Sequence, residues 1–327
     1  MVTWGLLSTA RINDALLAGA ALSDRVRVAA VASRDLARAE AYARERGIER
    51  AYGSYEALLA DPEIEAVYIG LPNGLHVEWS IRALEAGKHV LCEKVLDKRV
   101  DRVEEAFDTA ERADRFLMEG FMYRHHPQTK RLAELVADGA IGELRLVRAA
   151  FSFSLTELGD VRMRPELDGG SITDVGCYGI SAIRLLAGEP ESVTATQVLG
   201  STGVDVRFAG TLALPGGVLG YFDCAFDLPY RSELEVVGSE GVVRVVDPFT
   251  IGSLGVGGSG IEVRRGDEVE VVRAGDENHY QLELDNLSDA IRGIADPLLG
   301  REDAVAQARA IEALYRAAED GVAVELD

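Results

Sequence analysis

The sequence predicts an α/β protein of two domains: a doubly wound parallel sheet over residues 1–120, then an α+β domain with a large open, mostly antiparallel sheet over residues 121–327. Three observations carry that prediction. Up to Gly120, short apolar runs alternate with amphipathic helical stretches, the order of parallel strands joined by crossover helices. Beyond Gly120 the texture changes to longer alternating runs separated by Gly and Pro turn residues. The 327 residues also exceed what one domain usually holds.

Composition narrows the class. Hydrophobic residues make up 47%, and no apolar run approaches the length of a membrane helix, so a soluble globular protein with no membrane partner is expected. The first strand is expected to begin at residue 2, so no signal peptide is expected. Cys92, Cys177 and Cys224 are odd in number and widely spaced, which suits neither a disulfide framework nor a metal knuckle. These features together point to a cytoplasmic location. The formal net charge of -21 argues against nucleic acid, because a protein that grips phosphodiester chains carries a basic face. Only four of the 34 basic residues are lysines, Lys88, Lys94, Lys98 and Lys130, so a lysine at a strand end stands out.

Residues 2–6 read as the first strand, and GLLSTA, from Gly5 to Ala10, leads into a helix. A dinucleotide fingerprint has the form G-x-G-x-x-G/A; Gly5 and Ala10 fit it, and Leu7 stands where the second glycine belongs. The motif is weak alone. Its place at the first strand-to-helix turn strengthens it, since Ser8, Thr9 and the N–H groups of a helix start suit a pyrophosphate. The bland alternative is a plain turn with a helix cap. Residues 27–32 form the second strand and end in Ser33, Arg34 and Asp35. An NAD site presents an acid here to the ribose 2′-hydroxyl, whereas an arginine accommodates a 2′-phosphate. Ser33 and Arg34 therefore point to NADP, with NAD the alternative, and Arg38 one helical turn later offers a second phosphate contact. Asp35 reads as a helix N-cap.

Residues 66–72 are another buried strand, followed by Asn73, Gly74 and a helix with Val77, Ile81 and Leu84 on one face. Asn73 and His76 would edge the nicotinamide half of a cleft. The next strand lies in HVLCEKVLD, residues 89–97, and its apolar run ends abruptly in Glu93 and Lys94. That places two charged groups at the carboxyl edge of the sheet, where open α/β sheets bind ligands; alternatively they mark where the strand surfaces. A helix with Val103, Ala106, Phe107 and Ala110 and a strand at 116–120 complete a Rossmann sheet of about six strands.

In the second half, FMYRHHPQ, residues 121–128, precedes a helix to about Asp138 with Pro127 in its first turn. Strands follow at 144–155, 192–199, 204–214, 218–226 and 233–246, the last interrupted at 238–241. One face of this sheet is expected to be covered and the other to meet a second subunit. The glycine-rich stretch 252–260 reads as a flexible surface loop, and two helices close the chain as scaffold, one striped by Leu287, Ala290, Ile291 and Ile294, the other by Ala304, Ala308, Ile311, Tyr315 and Ala318. DGGSITDVGCYGISAIRLL, residues 168–186, looks different: Asp174 and Tyr178, four apart in a helix, share a face. Gly176 and Gly179 each cost helix stability by about 1 kcal/mol, which close approach of a backbone or ligand would offset. A buried tyrosine satisfied by Asp174 is the plain structural alternative.

With these pieces in place the chain resembles the glucose-fructose oxidoreductase and inositol dehydrogenase family (Gfo/Idh/MocA) over nearly its whole length. The resemblance rests on GLLSTA at 5–10, LPNGLH at 71–76, CEK at 92–94, MEGFMYRHHPQ at 118–128 and GGSITDVGCYG at 169–179. It is closest in look to the D-xylose dehydrogenase, dimeric dihydrodiol dehydrogenase and nucleotide-sugar ketoreductase branch. It implies NAD(P)-dependent hydride transfer at a carbinol of a sugar or cyclic polyol, and homodimers or homotetramers built through the second domain's sheet. It also implies that Leu71, Pro72, Asn73, His76, Glu93 and Lys94 help to hold the cofactor, and that Lys94, Tyr178 and Asp174 are catalytic, with Arg124 and His125 beside the substrate. As the sugar is oxidised, hydride would pass to nicotinamide while Tyr178 accepts the hydroxyl proton. Lys94 would either favour the phenolate or hydrogen-bond the alkoxide. No metal is required, and the five histidines show no ligand spacing.

The family's proline after the lysine is Val95 here. A cis bond before a residue other than proline costs about 3 kcal/mol, so a trans Lys94–Val95 bond and an altered turn are expected. Three readings follow: an NADP-dependent dehydrogenase of an aldopyranose such as D-xylose or D-glucose, a ketosugar reductase or dihydrodiol dehydrogenase, and a non-catalytic dinucleotide sensor. Retention of both Lys94 and Tyr178 favours an enzyme.

Overall fold

The computed structural model describes residues 1–251 and 260–326. The chain forms two compact units, Met1–Met122 with Asn278–Val305, and Tyr123–Glu277 with Ala306–Asp327.

The first unit is built on six parallel strands: β1 (Val2–Leu7), β2 (Val26–Ala32), β3 (Arg50–Tyr52), β4 (Ala66–Ile69), β5 (His89–Glu93) and β6 (Leu117–Gly120). Their order, β3-β2-β1-β4-β5-β6, reverses direction between β1 and β4. That switch point puts the ligand-binding edge outside the carboxyl ends of the strands. The crossovers carry α1 (Asn13–Ala20), α2 (Leu36–Arg46), α3 (Tyr55–Leu59), α4 (His76–Glu85) and α5 (Val100–Ala113). β4 is buried at every position, as a central strand covered on both faces must be. Asp35 caps α2 as expected, accepting the Arg38 N–H at 3.0 Å. β3 and α3, three and five residues long, are too short to leave a readable period.

The second unit holds α6 (Pro127–Ala137), β7 (Leu144–Ser154), α7 (Cys177–Ala187), β8 (Ser192–Leu199), β9 (Asp205–Leu214), β10 (Val218–Ala225), β11 (Asp227–Gly238), β12 (Val242–Val246), β13 (Gly260–Arg265), β14 (Glu268–Val272) and β15 (Val324–Glu325). They form one sheet in the order β14-β13-β12-β11-β7-β10-β9-β8-β15. Its pairs are antiparallel except β7 with β10, which run parallel. Alternation along β9 buries Phe208, Leu212 and Leu214 on one face. β11 begins at Asp227, before the expected 233, and β13, β14 and β15 are additions to the expected strands. Apart from Gly260, which opens β13, the glycine-rich stretch lies outside the described residues.

The closing helices are α8 (His279–Ile291) and α9 (Arg301–Asp320). α8 belongs to the first unit: a Cβ on Gly19 of α1 would stand 2.6 Å from the Gln281 nitrogen, and Trp4 Nε1 donates to Ser288 Oγ at 3.3 Å. Its expected stripe ends early. Gly293, at φ 69°, turns the chain out of the helix, leaving Ile294 72% exposed instead of packed. Among the described residues no helix is long and apolar enough to cross a membrane.

Candidate active site

The turn after β1 is shaped by Ser8, whose φ of 142° is a backbone conformation that L residues rarely adopt. Its hydroxyl donates to the Gly70 carbonyl at 2.9 Å, and its own carbonyl accepts from Asn13 Nδ2 at 2.9 Å, so the turn is tied to the end of β4. Gly5 lies inside β1, and the space a Cβ would need is taken by Leu58 and Ile64. It serves packing at that position. Thr9 and Ala10 are half-buried, and the N–H groups of Thr9, Arg11 and Ile12 make no hydrogen bond among the described residues. Unpaired N–H groups at a helix start fit a pyrophosphate.

At the end of β2 Ser33 is buried and donates its N–H to the Tyr52 carbonyl at 3.0 Å. Arg34 and Arg38 are exposed, and both lower the pKa of the Tyr55 phenol by their charge, although burial is the larger influence and raises it. Two solvent-facing guanidinium groups about one tyrosine suit a ribose phosphate. The Tyr55 ring is held edge-on against Trp79, with centroids 4.7 Å apart.

The carboxyl ends of β4 and β5 carry the next group. Leu71, Pro72 and Asn73 are half-buried, and Asn73 opens a short 3-10 turn to Leu75. His76 is fully buried, with its ring nitrogens 2.7 Å from the carbonyl oxygens of Val95 and Leu71. It braces the two loops from below. Burial pulls the His76 pKa down, against the raising effect of those carbonyls. Glu93 accepts the Tyr68 hydroxyl at 2.5 Å, and Lys94, half-buried, is the first residue past the strand. The expected trans bond is not found: Lys94–Val95 is cis. The backbone on either side is held by side chains, His76 at the Val95 carbonyl and Glu119, whose Oε1 accepts the Leu96 N–H at 2.7 Å. These buried partners, which lie elsewhere in sequence, define the turn without proline.

In the second unit the segment bearing Asp174 and Tyr178 is not one regular α-helix. Ile172–Gly176 forms a π turn, closed by the Cys177 N–H on the Ile172 carbonyl, and α7 starts at Cys177. The two glycines serve close approach to the sheet. A Cβ on Gly176 would stand 2.7 Å from Cys224 Sγ, and one on Gly179 would stand 3.1 Å from Ala149 Cβ. Tyr178 is 5% exposed, its ring among those of Tyr123, Phe151 and Phe249, with centroids 5.8, 5.6 and 5.5 Å away. Asp174 Oδ2 accepts from Arg162 Nε at 2.8 Å, and the Asp174 charge raises the Arg162 pKa. Arg124 is half-buried and donates to Ser181 Oγ of α7 at 3.3 Å, while His125 is buried.

Sequence reasoning missed Arg162, Phe249 and Glu283. Arg162 lies in a stretch with no period, and Phe249 follows a strand end, so neither left a signal. Glu283, on a helix read as scaffold, is fully buried near Glu93, and neither carboxyl oxygen has a hydrogen-bond partner among the described residues. Its place inside an apolar stripe was the available clue. Among the described residues no cluster of His, Cys, Asp and Glu could hold a metal ion.

A doubly wound sheet that matches an NAD-binding Rossmann model, joined in one chain to an open antiparallel sheet, defines an NAD(P)-dependent oxidoreductase. Residues 5–121 match the oxidoreductase family with an NAD-binding Rossmann fold, and residues 129–244 match the GFO/IDH/MocA C-terminal domain. The chain belongs to the Gfo/Idh/MocA family. It is 41% identical to a D-xylose 1-dehydrogenase (NADP(+)) of Haloferax volcanii over 99% of each chain. It is 36% identical to a trans-1,2-dihydrobenzene-1,2-diol dehydrogenase of Danio rerio over 74% of this chain and 73% of the relative. A solved 3-ketoreductase from Actinomadura kijaniata, in complex with NADP and TDP-benzene, superposes with a TM-score of 0.91 at 30% identity, covering 97% of each chain.

Proposed function

We propose that this enzyme oxidises an aldopyranose such as D-xylose or D-glucose at C1, with NADP as its cofactor. The observation that carries the reading is the full-length similarity to an NADP-dependent D-xylose 1-dehydrogenase, at 41% identity. The exposed Arg34 and Arg38 near Tyr55 support the 2′-phosphate form of the cofactor. Bound nicotinamide would supply the hydride acceptor, and the chain's own residues handle the proton. Tyr178 takes the hydroxyl proton as the carbinol is oxidised, and Lys94 stabilises developing negative charge on oxygen. Asp174, ion-paired with Arg162, and Arg124, bonded to Ser181, orient sugar hydroxyls, with His125 buried next to Arg124 in sequence. Ser8, Thr9, Ala10 and Ser33 shape the cofactor's phosphate and ribose contacts, with Gly5 packing the strand that leads to them, and Leu71, Pro72, Asn73, His76 and Glu93 shape its nicotinamide end. Association through the open sheet into a homodimer or homotetramer, in the cytoplasm, completes the reading.

A second reading, a ketosugar reductase or dihydrodiol dehydrogenase, is favoured by the aromatic rings packed around Tyr178. Apolar walls suit a substrate with an unsaturated ring. A panel of aldoses, polyols, ketosugars and dihydrodiols, followed through the reduced-cofactor absorbance, separates the two. In that assay Tyr178→Phe should lower turnover by about 100-fold or more with little change in cofactor affinity. A near-normal rate would remove the role given to Tyr178, and absence of turnover on every substrate would remove the catalytic reading.

A further inference from the structure

Tyr178 can serve only if its helix is held in place, and that helix begins in an unusual way. Ser171, at its start, offers no side-chain cap to the N–H groups that follow. The first turn of a helix leaves such groups unpaired unless something outside supplies an acceptor. Here the acceptor arrives from 34 residues along the chain. Asp205, the first residue of β9 and 2% exposed, accepts the Ser171 hydroxyl at 2.7 Å and the Ile172 N–H at 2.9 Å through one oxygen. Its other oxygen accepts the Tyr315 hydroxyl of α9 at 2.9 Å, and Cys224 Sγ of β10 donates to Ser171 Oγ at 3.5 Å.

The glycine pair ahead of the helix makes this possible. Gly170 has a φ of 140°, and a Cβ there would stand 2.2 Å from Asp205 Oδ1 and 3.1 Å from the Tyr315 hydroxyl. A Cβ on Gly169 would stand 2.3 Å from the Arg162 carbonyl oxygen. Any side chain at Gly170 would push the carboxylate away from the helix start. The far side of the Tyr178 turn is fixed by Gln307 Nε2 donating to the Cys177 carbonyl at 2.9 Å and by the aromatic rings already described. The helix is thus held at its start by Asp205.

We propose that Asp205 is a positioning residue for the chemical step: by anchoring Ser171 and Ile172 to β9 and α9, it sets where the π turn and α7 present Tyr178. The proposal rests on the proton-accepting role of Tyr178 given above. Because Asp205 acts through Tyr178, its loss should be felt in turnover and should vanish once the phenol is gone.

The test is a double-mutant cycle on the full chain, with NADP and D-xylose as the assay pair, or the panel's best substrate if that differs. Asp205→Ala should lower kcat about tenfold to a hundredfold, the scale of a displaced catalytic group, while the dissociation constant for NADP stays unchanged. Asp205→Asn, which retains an acceptor for Ser171 and Ile172, should restore most of kcat. Asp205→Ala with Tyr178→Phe should be no slower than Tyr178→Phe alone. If Asp205→Ala fails to fold, Tyr315→Phe and Ser171→Ala each remove one partner of the carboxylate, and each should lower kcat without weakening NADP binding. Wild-type kcat in these variants, multiplying effects in the cycle, or an Asp205→Asn enzyme as impaired as Asp205→Ala would overturn the proposal. Failure of the Tyr178 assignment itself shows in Tyr178→Phe alone, with Asp205 untouched.

Discussion

Gly176→Ala tests the claim that the Tyr178 helix needs glycine to approach the sheet. A Cβ at this position would stand 2.7 Å from Cys224 Sγ, 3.2 Å from Ile172 Cγ1 and 3.3 Å from Phe222 Cε2. Cys224 and Phe222 are each 1% exposed, so neither can swing into solvent to make room. Forcing a methyl into such packing costs about 1–3 kcal/mol. Alanine's better helix propensity offsets about 1 kcal/mol of that. The expected result is a loss of up to about 2 kcal/mol.

The obstacle is chiefly one sulfur atom, and that allows a sharper form of the test. Cys224→Ala alone opens a small void and should cost about 1 kcal/mol. In its background the new methyl of Gly176→Ala enters the vacated space, so the second substitution should cost nothing further or recover stability. The two changes should therefore couple by about 1–2 kcal/mol. Urea unfolding followed by far-UV circular dichroism measures this, provided the slopes agree among variants. Two costs that simply add, with no coupling between Gly176→Ala and Cys224→Ala, would refute the steric argument.

Arg34→Ala should weaken NADP binding by about tenfold or more, the scale of hydrogen bonds to a charged group, and leave NAD binding nearly unchanged; reduced-cofactor fluorescence titrations measure both, and equal losses would contradict the 2′-phosphate assignment. His89 is held neutral in the fold: its Nδ1 accepts the Phe116 N–H at 3.0 Å, and burial lowers its pKa from 6.5 to about 4. The unfolded chain takes up this proton first, so the His89 contribution is complete above the unfolded value and is lost as pH falls towards 4. The loss is at most about 3 kcal/mol, reduced by solvent screening of a part-exposed ring. His89→Asn, which keeps an acceptor for Phe116, should flatten the acid dependence of the urea midpoint; parallel curves for the two proteins would argue against it.

Much of the fold was legible because burial leaves a period. The parallel strands β4 and β5 announced themselves as unbroken apolar runs, and β9 and β10 as alternating ones. The elements that were not read are those without enough residues to show a period, such as β3 and β15, or with exposed valines in an acidic setting, such as β14. Residues at strand ends were legible as such from position alone: Lys94 follows β5 and Arg34 follows β2 by two residues. What stayed hidden was pairing across long stretches of chain. Asp205 with Ser171, Arg162 with Asp174, and His76 with Val95 are brought together only by the tertiary fold. The cis Lys94–Val95 bond belongs with them, since local preference argued for trans and the surrounding contacts come from α4 and β6.

Glu283 has a thermodynamic consequence for the first unit. Its carboxyl is fully buried with neither oxygen partnered among the described residues, and burial first, then the nearby Glu93 charge, hold its pKa well above 4.5. The unfolded chain surrenders that proton at the ordinary carboxyl value, so the folded first unit carries a proton the unfolded chain does not, at any pH between the two. Unfolding in that range is therefore also a deprotonation, and its measured heat contains the heat of protonating whatever buffer surrounds the protein.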